Sequence, residues 1–189
     1  LGRERDAAFR NLHMVLGGEA VKGHLESTLE ARGTSSELLG VAYGTGNTQA
    51  DFYTFQDHMG PDTRSDLEYK AALKDDSQAI YYGVTKVGLG AKNADANQEN
   101  RNLLLSETAR ANSDPVLEIL TSDIVRASHG ATAGPVDQEQ LFYMQARGIA
   151  RPEAESMLVT AFLEDVLSRV PNLELREELV ANLEGAFDR

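Results

Sequence analysis

The first two thirds of the chain alternate between apolar or small residues and polar residues with a period of two. The clearest run is Val21–Ala31, and Ser65–Leu73 repeats the same pattern. Such alternation is typical of a β-strand with one buried face. It predicts strands at Ala7–Leu16, Val21–Ala31, Glu37–Tyr43, Ala50–Gln56, Ser65–Leu73, Gln78–Val87, Asn100–Leu105, Val116–Thr121 and Ile124–Ala131.

Turn-forming residues lie between these runs. Gly and Asn permit positive φ, and Pro fixes φ near the turn value. No helical run interrupts the strands, which recur roughly every 13 to 15 residues, so βαβ units are excluded. The predicted turns are Gly17-Gly18, Gly33-Thr34, Gly44–Asn47, Gly60–Asp62, Lys74–Ser77 and Asn112–Pro115.

Two all-β architectures fit this rhythm. One is a sandwich or barrel, and the other is a β-solenoid whose short strands stack with Gly and Asn at the corners. Small residues on the apolar side of the strands favour the narrow interior of a solenoid. These residues are Gly23, Ser27, Ala31, Ala71, Ala79 and Gly83.

The period becomes helical after Pro135. Asp137 begins a capping-box-like motif, Gly148 suits a helix C-terminus, Pro152 suits the first position of a second helix, and Asn172 can cap a third. We therefore predict a mainly β chain, with a solenoid core at residues 1–134 and a small helical domain at 135–189. The helical stripes indicate ordinary packing, with docking of another protein as the alternative. They comprise Ala154, Met157, Leu158, Ala161, Phe162 and Leu167, then Leu175, Leu179, Leu183 and Phe187.

The net charge of −12 argues against nucleic acid or anionic lipid as a partner. The chain has no cysteine, which excludes disulfides, zinc fingers, thiol catalysis and thiolate-held iron–sulfur clusters. No apolar run is long enough to span a bilayer. The first residues, Leu1–Asp6, do not read as a signal peptide, and the sequence is expected to be an excised piece of a longer cytoplasmic chain.

The usual catalytic motifs are missing, since the sequence has no phosphate-binding loop, nucleophile elbow or zinc-protease helix. Of the four histidines, His13 and His24 are expected to be structural or exposed. His58 lies at a turn beside Asp57, where a hydrogen bond that anchors the turn is favoured over a metal role. His129 has small neighbours that leave it approachable, but one imidazole is not a metal site. Residues alone therefore favour a structural role for His129.

Several ordered segments resemble one protein family. They are Lys92–Ser106, Pro115–Ile119 with Asp123, Ser128–Thr132, Asp137–Tyr143 with Arg147–Ile149, and upstream Asp57–Asp66 with Tyr69-Lys70. Together they resemble the SufB/SufD family of iron–sulfur cluster assembly proteins. The resemblance extends from about Asp51 to the C-terminus, and Gly134-Pro135 departs from the family pattern.

This resemblance implies a right-handed parallel β-helix, with its early rungs missing, followed by a C-terminal helical domain. It also implies a scaffold subunit, not an enzyme, in a cytoplasmic complex of SufB, SufC and SufD. The helical end, about Asp137–Phe187, would dock the SufC ATPase, and strands near Val116–Ala131 would pair with SufB. The residues expected to contact partners are Val116, Leu117, Ile119 and Val125 on the strands, and Leu141, Phe142, Arg147, Met157 and Phe162 on the helices.

The resemblance also implies a D-type chain and gives His129 a role. D-type members carry a His in the segment that matches Ser128–Thr132, and it is implicated in cluster building between the two subunits. His129 is thus a candidate metal ligand whose other ligands come from a partner chain. The isolated chain is expected to hold no cofactor, and the cluster is transient at the level of the complex.

Two other function classes stay open. A β-helix enzyme acting on polysaccharide would show converging acids in a groove, and no such cluster is evident in the sequence. A purely structural, self-associating solenoid is the other. An exposed strand edge also predicts a homodimer when SufB is absent.

Overall fold

The computed structural model describes residues 4–187, which form strands followed by helices. Residues 1–3 and 188–189, at the outer limits of the two predicted domains, lie outside this range. The strands are β1 Ala8–Val15, β2 Ala20–Leu29, β3 Ser35–Gly44, β4 Gln49–His58, β5 Arg64–Leu73, β6 Gln78–Val87, β7 Ala94–Leu104, β8 Arg110–Ile119 and β9 Ile124–Pro135. The helices are α1 Gln138–Ala146, α2 Arg151–Leu167 and α3 Leu173–Phe187.

The strands form two parallel sheets in which each strand pairs with the strand two places along the chain. One sheet has the order β1-β3-β5-β7-β9 and the other β2-β4-β6-β8. Each turn of the chain thus adds one strand to each sheet, for about four turns in all. The prediction of a β-solenoid followed by helices is confirmed.

Stacked left-handed residues make the corners that lead from the second sheet to the first. Gly33, Asp62 and Asn93 occupy equivalent corners with φ of 73°, 57° and 56°. Gly, Asp and Asn tolerate this conformation best. The Asn93 side-chain amide donates to the Asp62 carboxylate at 3.1 Å, which links one corner to the next.

The interior between the sheets is narrow, and small residues on neighbouring strands make room for its large rings. A Cβ on Gly40 would lie 2.2 Å from the Tyr69 ring, so β3 needs glycine there to accommodate the tyrosine of β5. The buried members of this core are Leu38, Ala42, Ala50, Phe52, Leu67, Tyr69, Ala71, Leu73, Ala79, Tyr81 and Ala109.

The helices pack on the outer face of the β1-β3-β5-β7-β9 sheet, which we call the covered sheet. The second, β2-β4-β6-β8, is called the open sheet. Val159, Leu163 and Val166 of α2 are buried there against Leu39, Val41, Tyr43 and Ala72 of the strands and Leu183 and Ala186 of α3. The stripe predicted for α2 is wrong in part, because Met157 and Ala161 are exposed while Val159 and Leu163 face the sheet.

The helix ends follow the sequence signals. The Asp137 carboxylate accepts from the backbone N–H groups of Glu139 at 2.8 Å and Gln140 at 3.3 Å. Gly148, with φ of 89°, follows α1, and the Asn172 side chain accepts from the Leu175 N–H at 2.9 Å. Pro152 is the second residue of α2, one position later than predicted.

Two strands begin well before their predicted starts. The structure starts β7 at Ala94 and β8 at Arg110, six residues before each predicted start. The predicted turn Asn112–Pro115 is wrong, since this segment lies within β8. Proline is tolerated in β8 because β8 is an edge strand, where a missing N–H need not break a ladder.

Candidate partner-binding surfaces

The last turn of the solenoid has an open end. Within residues 4–187, β8 pairs only with β6, and β9 pairs only with β7. Each strand therefore presents one row of backbone N–H and C=O groups without a neighbouring strand, and such an edge is a template for added strands.

The four strand residues predicted to contact a partner all lie on this last turn. Val116 and Leu117 are half-buried in β8, while Ile119 is 43% exposed. Val125 at the start of β9 is 69% exposed. The structure thus brings all four to the open end.

His129 lies in the middle of β9, in register with Gln98 of β7. Gln98 is a buried, inward-facing residue, and His129 continues its row onto the last turn, where no further strand covers it. The His129 side chain is exposed, and its neighbours Ser128 and Gly130 are small. Among the described residues no group of three or more His, Cys, Asp or Glu side chains could hold a metal ion. A metal at His129 would therefore need further ligands from outside the described residues.

Behind His129 the solenoid interior contains a hydrogen-bonded polar chain. The Gln98 amide donates to the Tyr81 hydroxyl at 2.9 Å and accepts from Thr85 at 2.9 Å, and Tyr81 also pairs with Thr54 at 3.0 Å. Burial raises the pKa of Tyr81 to about 12, although the hydrogen bonds with Thr54 and Gln98 act in the opposite direction. Tyr81 is therefore neutral, and its hydroxyl links Thr54 of β4 to Gln98 of β7 across the interior. The polar residues at inward positions of β7 are the sequence signal for this buried polar chain.

The other histidines have structural surroundings. His58 is fully buried, and its two ring nitrogens pair with the hydroxyls of Thr63 and Ser65, each at 2.8 Å. The prediction that His58 anchors its turn is confirmed. His13 lies 3.1 Å from the Tyr69 hydroxyl, and His24 pairs with Glu26 on the surface of β2.

A second exposed surface is aromatic and lies on α1 and α2. Phe142 is 73% exposed, Tyr143 58% and Met157 49%. The Arg147 guanidinium lies 4.4 Å from the centroid of the Tyr143 ring. Two shallow grooves of about 440 and 480 Å³ flank Tyr143 and share Glu139. An apolar surface edged by charges is typical of a protein-docking site.

The remaining two helical residues predicted to contact a partner lie inside the fold. Leu141 is 2% exposed and packs with Val136 and Ala154. Phe162 is half-buried, and the Lys70 ammonium lies 5.2 Å from its ring centroid. Of the five predicted helical residues, Phe142, Arg147 and Met157 therefore present side chains to solvent.

Sequence reasoning missed a charged cluster that ties α2 to the covered sheet. Arg169, just beyond α2, donates to Glu37 of β3 and to Asp66 and Glu68 of β5, the last two at 2.5 and 3.0 Å. Burial lowers the pKa of Arg169, but the hydrogen bonds and charges of these carboxylates outweigh it and raise this pKa well above its usual value. Beside it, Lys70 is 4% exposed and bridges Glu68 to Asp165 of α2.

Between residues 4 and 187, no helix combines the length and the apolar character needed to cross a bilayer. The fold and surfaces define a parallel β-solenoid with a helical domain on one face, an open last turn and an exposed aromatic patch.

Comparisons with known proteins identify the family. Residues 2–162 match the family model described as SUF system FeS cluster assembly, SufBD core domain. The chain is 34% identical over 187 residues to an iron–sulfur cluster assembly SufBD family protein of Mycobacterium leprae, covering 95% of this chain and 48% of that protein. It is 34% identical over 158 residues to the iron–sulfur cluster assembly protein SufD of Bacillus subtilis, covering 84% of this chain and 36% of that protein. For SufD of Escherichia coli the identity is 28% over 178 residues, covering 94% and 42%.

The chain belongs to the SufBD family of the SUF iron–sulfur cluster assembly system, and its named relatives include SufD proteins. It spans about half the length of the curated relatives it matches, or less.

Proposed function

We propose that this chain is a SufD-type scaffold subunit that pairs with a SufB-type chain through its open last turn and docks a SufC-type ATPase through its helical surface. In this proposal the chain works in the cytoplasm and has no catalytic activity of its own. The observation that carries it is the position of His129 on the edge strand β9 at the end of the solenoid. There, an imidazole and a free strand edge face the same incoming chain.

The helical surface supports the docking part of the proposal. Phe142 and Tyr143 are exposed on α1 and Met157 is exposed on α2, while the buried residues Leu141 and Leu163 fix the two helices in the fold. Large aromatic side chains edged by charge are the usual anchors of protein interfaces.

Point substitutions test this docking better than truncation. Deleting the helices would expose Leu39, Val41 and Tyr43 of the covered sheet and damage the fold itself. We expect Phe142→Asp to abolish co-purification with a SufC-type ATPase, because it puts a charge at the centre of the apolar surface. Leu173→Asp is the matched control, since Leu173 is 61% exposed on α3 away from this surface. Equal co-purification of both variants would reject the docking surface.

His129 has a separate test in the proposed cluster assembly. The cluster is the cargo of the complex, and this chain offers it one nitrogen, so thiolates must come from the SufB-type chain. We expect His129→Ala to leave the fold and the complex intact, because the side chain is exposed, and to reduce the amount of iron–sulfur cluster formed on the complex. Ser128→Ala is the control. Unchanged cluster formation in the His129 variant would leave His129 without this role.

The same edge supports a weaker self-association. We propose that without a SufB-type chain two copies pair through β8 and β9. Light scattering that shows only monomer at high concentration would contradict this.

A further inference from the structure

Five exposed apolar side chains gather at one corner of the solenoid. Met59 follows β4, Leu89 follows β6, Ile119 and Leu120 lie at and after the end of β8, and Val125 lies at the start of β9. We call these five residues the corner patch. They occupy three successive turns on the side where the chain passes from the open sheet to the covered sheet.

Backbone hydrogen bonds stack these corner segments. The Gly88 N–H donates to the His58 carbonyl at 2.8 Å, and the Leu120 N–H donates to the Val87 carbonyl at 2.9 Å. Neighbouring strands of a sheet lie about 4.8 Å apart. The corner segments that carry these residues therefore stack along the solenoid axis and end at the open turn.

The exposure of these side chains is high for apolar groups. Leu89 is 76% exposed, Leu120 52% and Met59 51%. The segments around Met59 and Leu89, 59–61 and 88–91, carry no charged residue, although a quarter of the chain is charged, and Asp123 is the one charged residue between Leu120 and Val125. Single exposed apolar residues are ordinary, but a contiguous group of them marks an interaction site.

A β-bulge brings Val125 into the corner patch. The register between β7 and β9 shifts here, since Ala94 pairs with Ile124 and Asp95 with Arg126, which leaves Val125 as the extra residue. Bulges at sheet edges re-aim side chains and end regular pairing. Val125 is 69% exposed as a result, and it joins the corner patch to the open end of the solenoid.

We propose that the chain that adds strands to β8 and β9 also lays an uncharged, apolar segment along the corner patch, as far back as Met59. This inference rests on the proposed pairing with a SufB-type subunit and extends that contact two turns behind the open end. Backbone pairing is common to any strand, whereas side-chain contacts discriminate between partners. The corner patch is the specificity element of the pairing.

The test compares two double variants in binding to the SufB-type subunit of the same organism. We expect Met59→Asp with Leu89→Asp to raise the Kd at least about tenfold, because two charges would be buried against an apolar segment. Leu173→Asp with Leu175→Asp is the control, since these residues are 61% and 45% exposed on α3. The control is expected to bind like the unmodified chain. Circular dichroism of all proteins checks that the fold is retained.

The outcomes separate this inference from the pairing on which it rests. If the unmodified chain binds and the corner variant binds equally well, the corner patch has no role and the pairing stands. If the unmodified, folded chain does not bind the SufB-type subunit, the pairing itself is rejected. Equal weakening by both double variants would also reject the corner patch, because the loss would then be a general effect of added charge.

Discussion

The two sheets of the solenoid share an interior but differ on their outer faces. On the covered sheet, outward residues such as Leu39, Val41 and Ala72 are fully or nearly fully buried under α2 and α3. On the open sheet, the outward side chains of Tyr53 and Tyr82 stack on each other and remain at least partly exposed, with ring centroids 5.8 Å apart. One face is part of a core, and the other is a surface.

This difference explains the residue pattern of the strands in each sheet. β4 of the open sheet alternates strictly between buried and more exposed residues, whereas β3 of the covered sheet is buried without a break from Leu38 to Gly44. A strand with one solvent-exposed face alternates between apolar and polar residues, and a strand covered on both faces is continuously apolar or small. Period-two alternation therefore reports which face meets solvent.

The largest expected loss of stability comes from a change in the core between α2 and the covered sheet. Leu163→Ala removes a fully buried side chain between α2 and the sheet, so it should lower the free energy of unfolding by about 2–5 kcal/mol. Tyr53→Ala on the open sheet is the matched change and should cost well under half as much, because the ring is already half exposed. Urea denaturation of both variants measures this. Similar losses would show that the two faces do not differ as described.

The next expected effect is a pH dependence of stability that comes from His58, on the inner face of the open sheet. Burial lowers the pKa of His58 to about 4 from an ordinary 6.5, with a smaller opposing effect from Asp95. Between these pH values the unfolded chain binds more protons than the folded chain, so the free energy of unfolding rises with pH. The stability linked to His58 is complete above pH 6.5 and is lost as the pH falls towards 4, by about 3 kcal/mol.

The variant His58→Gln isolates this pH dependence. Glutamine keeps a donor and an acceptor for Thr63 and Ser65 but has no titrating group. We expect a shallower rise in the free energy of unfolding between pH 4 and pH 6.5, measured by urea denaturation at several pH values. An identical slope in the two proteins would contradict the assignment to His58.

The smallest expected effect on stability comes from ion pairs, and it compares the Arg169 cluster on the covered sheet with an exposed pair on the open sheet. Arg169→Met leaves Glu37, Asp66 and Glu68 without their shared cation and should cost about 1–3 kcal/mol, discounted because Arg169 is 27% exposed. Lys22→Met on the open sheet breaks the exposed pair with Asp51 at 3.1 Å and should cost no more than about 0.5 kcal/mol. Thermal denaturation at low salt measures both. Equal costs would show that Arg169 does not fix the helices to the sheet.

The solenoid followed by helices could be predicted from the sequence because strand alternation, corner residues and helix caps are local signals. Asp137 and Asn172 cap their helices as their positions indicated. The early parts of β7 and β8 were missed because Asp95–Glu99 contains no β-branched or aromatic residue and Asn112–Pro115 has the composition of a turn. Only pairing with β5 and β6 makes these segments strands.

The surfaces were predictable in part. The position of His129 on an exposed strand could be expected from its small neighbours, since Ser, Gly and Ala leave the ring accessible. The ion pairs of Arg169 could not be predicted, because they join Arg169 to Glu37 and Glu68, which lie more than 100 positions earlier in the chain. The corner patch also depends on the stacking of turns, since Met59 and Leu89 are single apolar residues in separate loops.

The most direct test of the proposed scaffold role is co-expression of this chain with the SufB-type and SufC-type subunits of the same organism, followed by size-exclusion chromatography with light scattering. We predict one peak that contains all three chains. Elution of the folded chain by itself, with the other two subunits together in a separate peak, would contradict the proposed role.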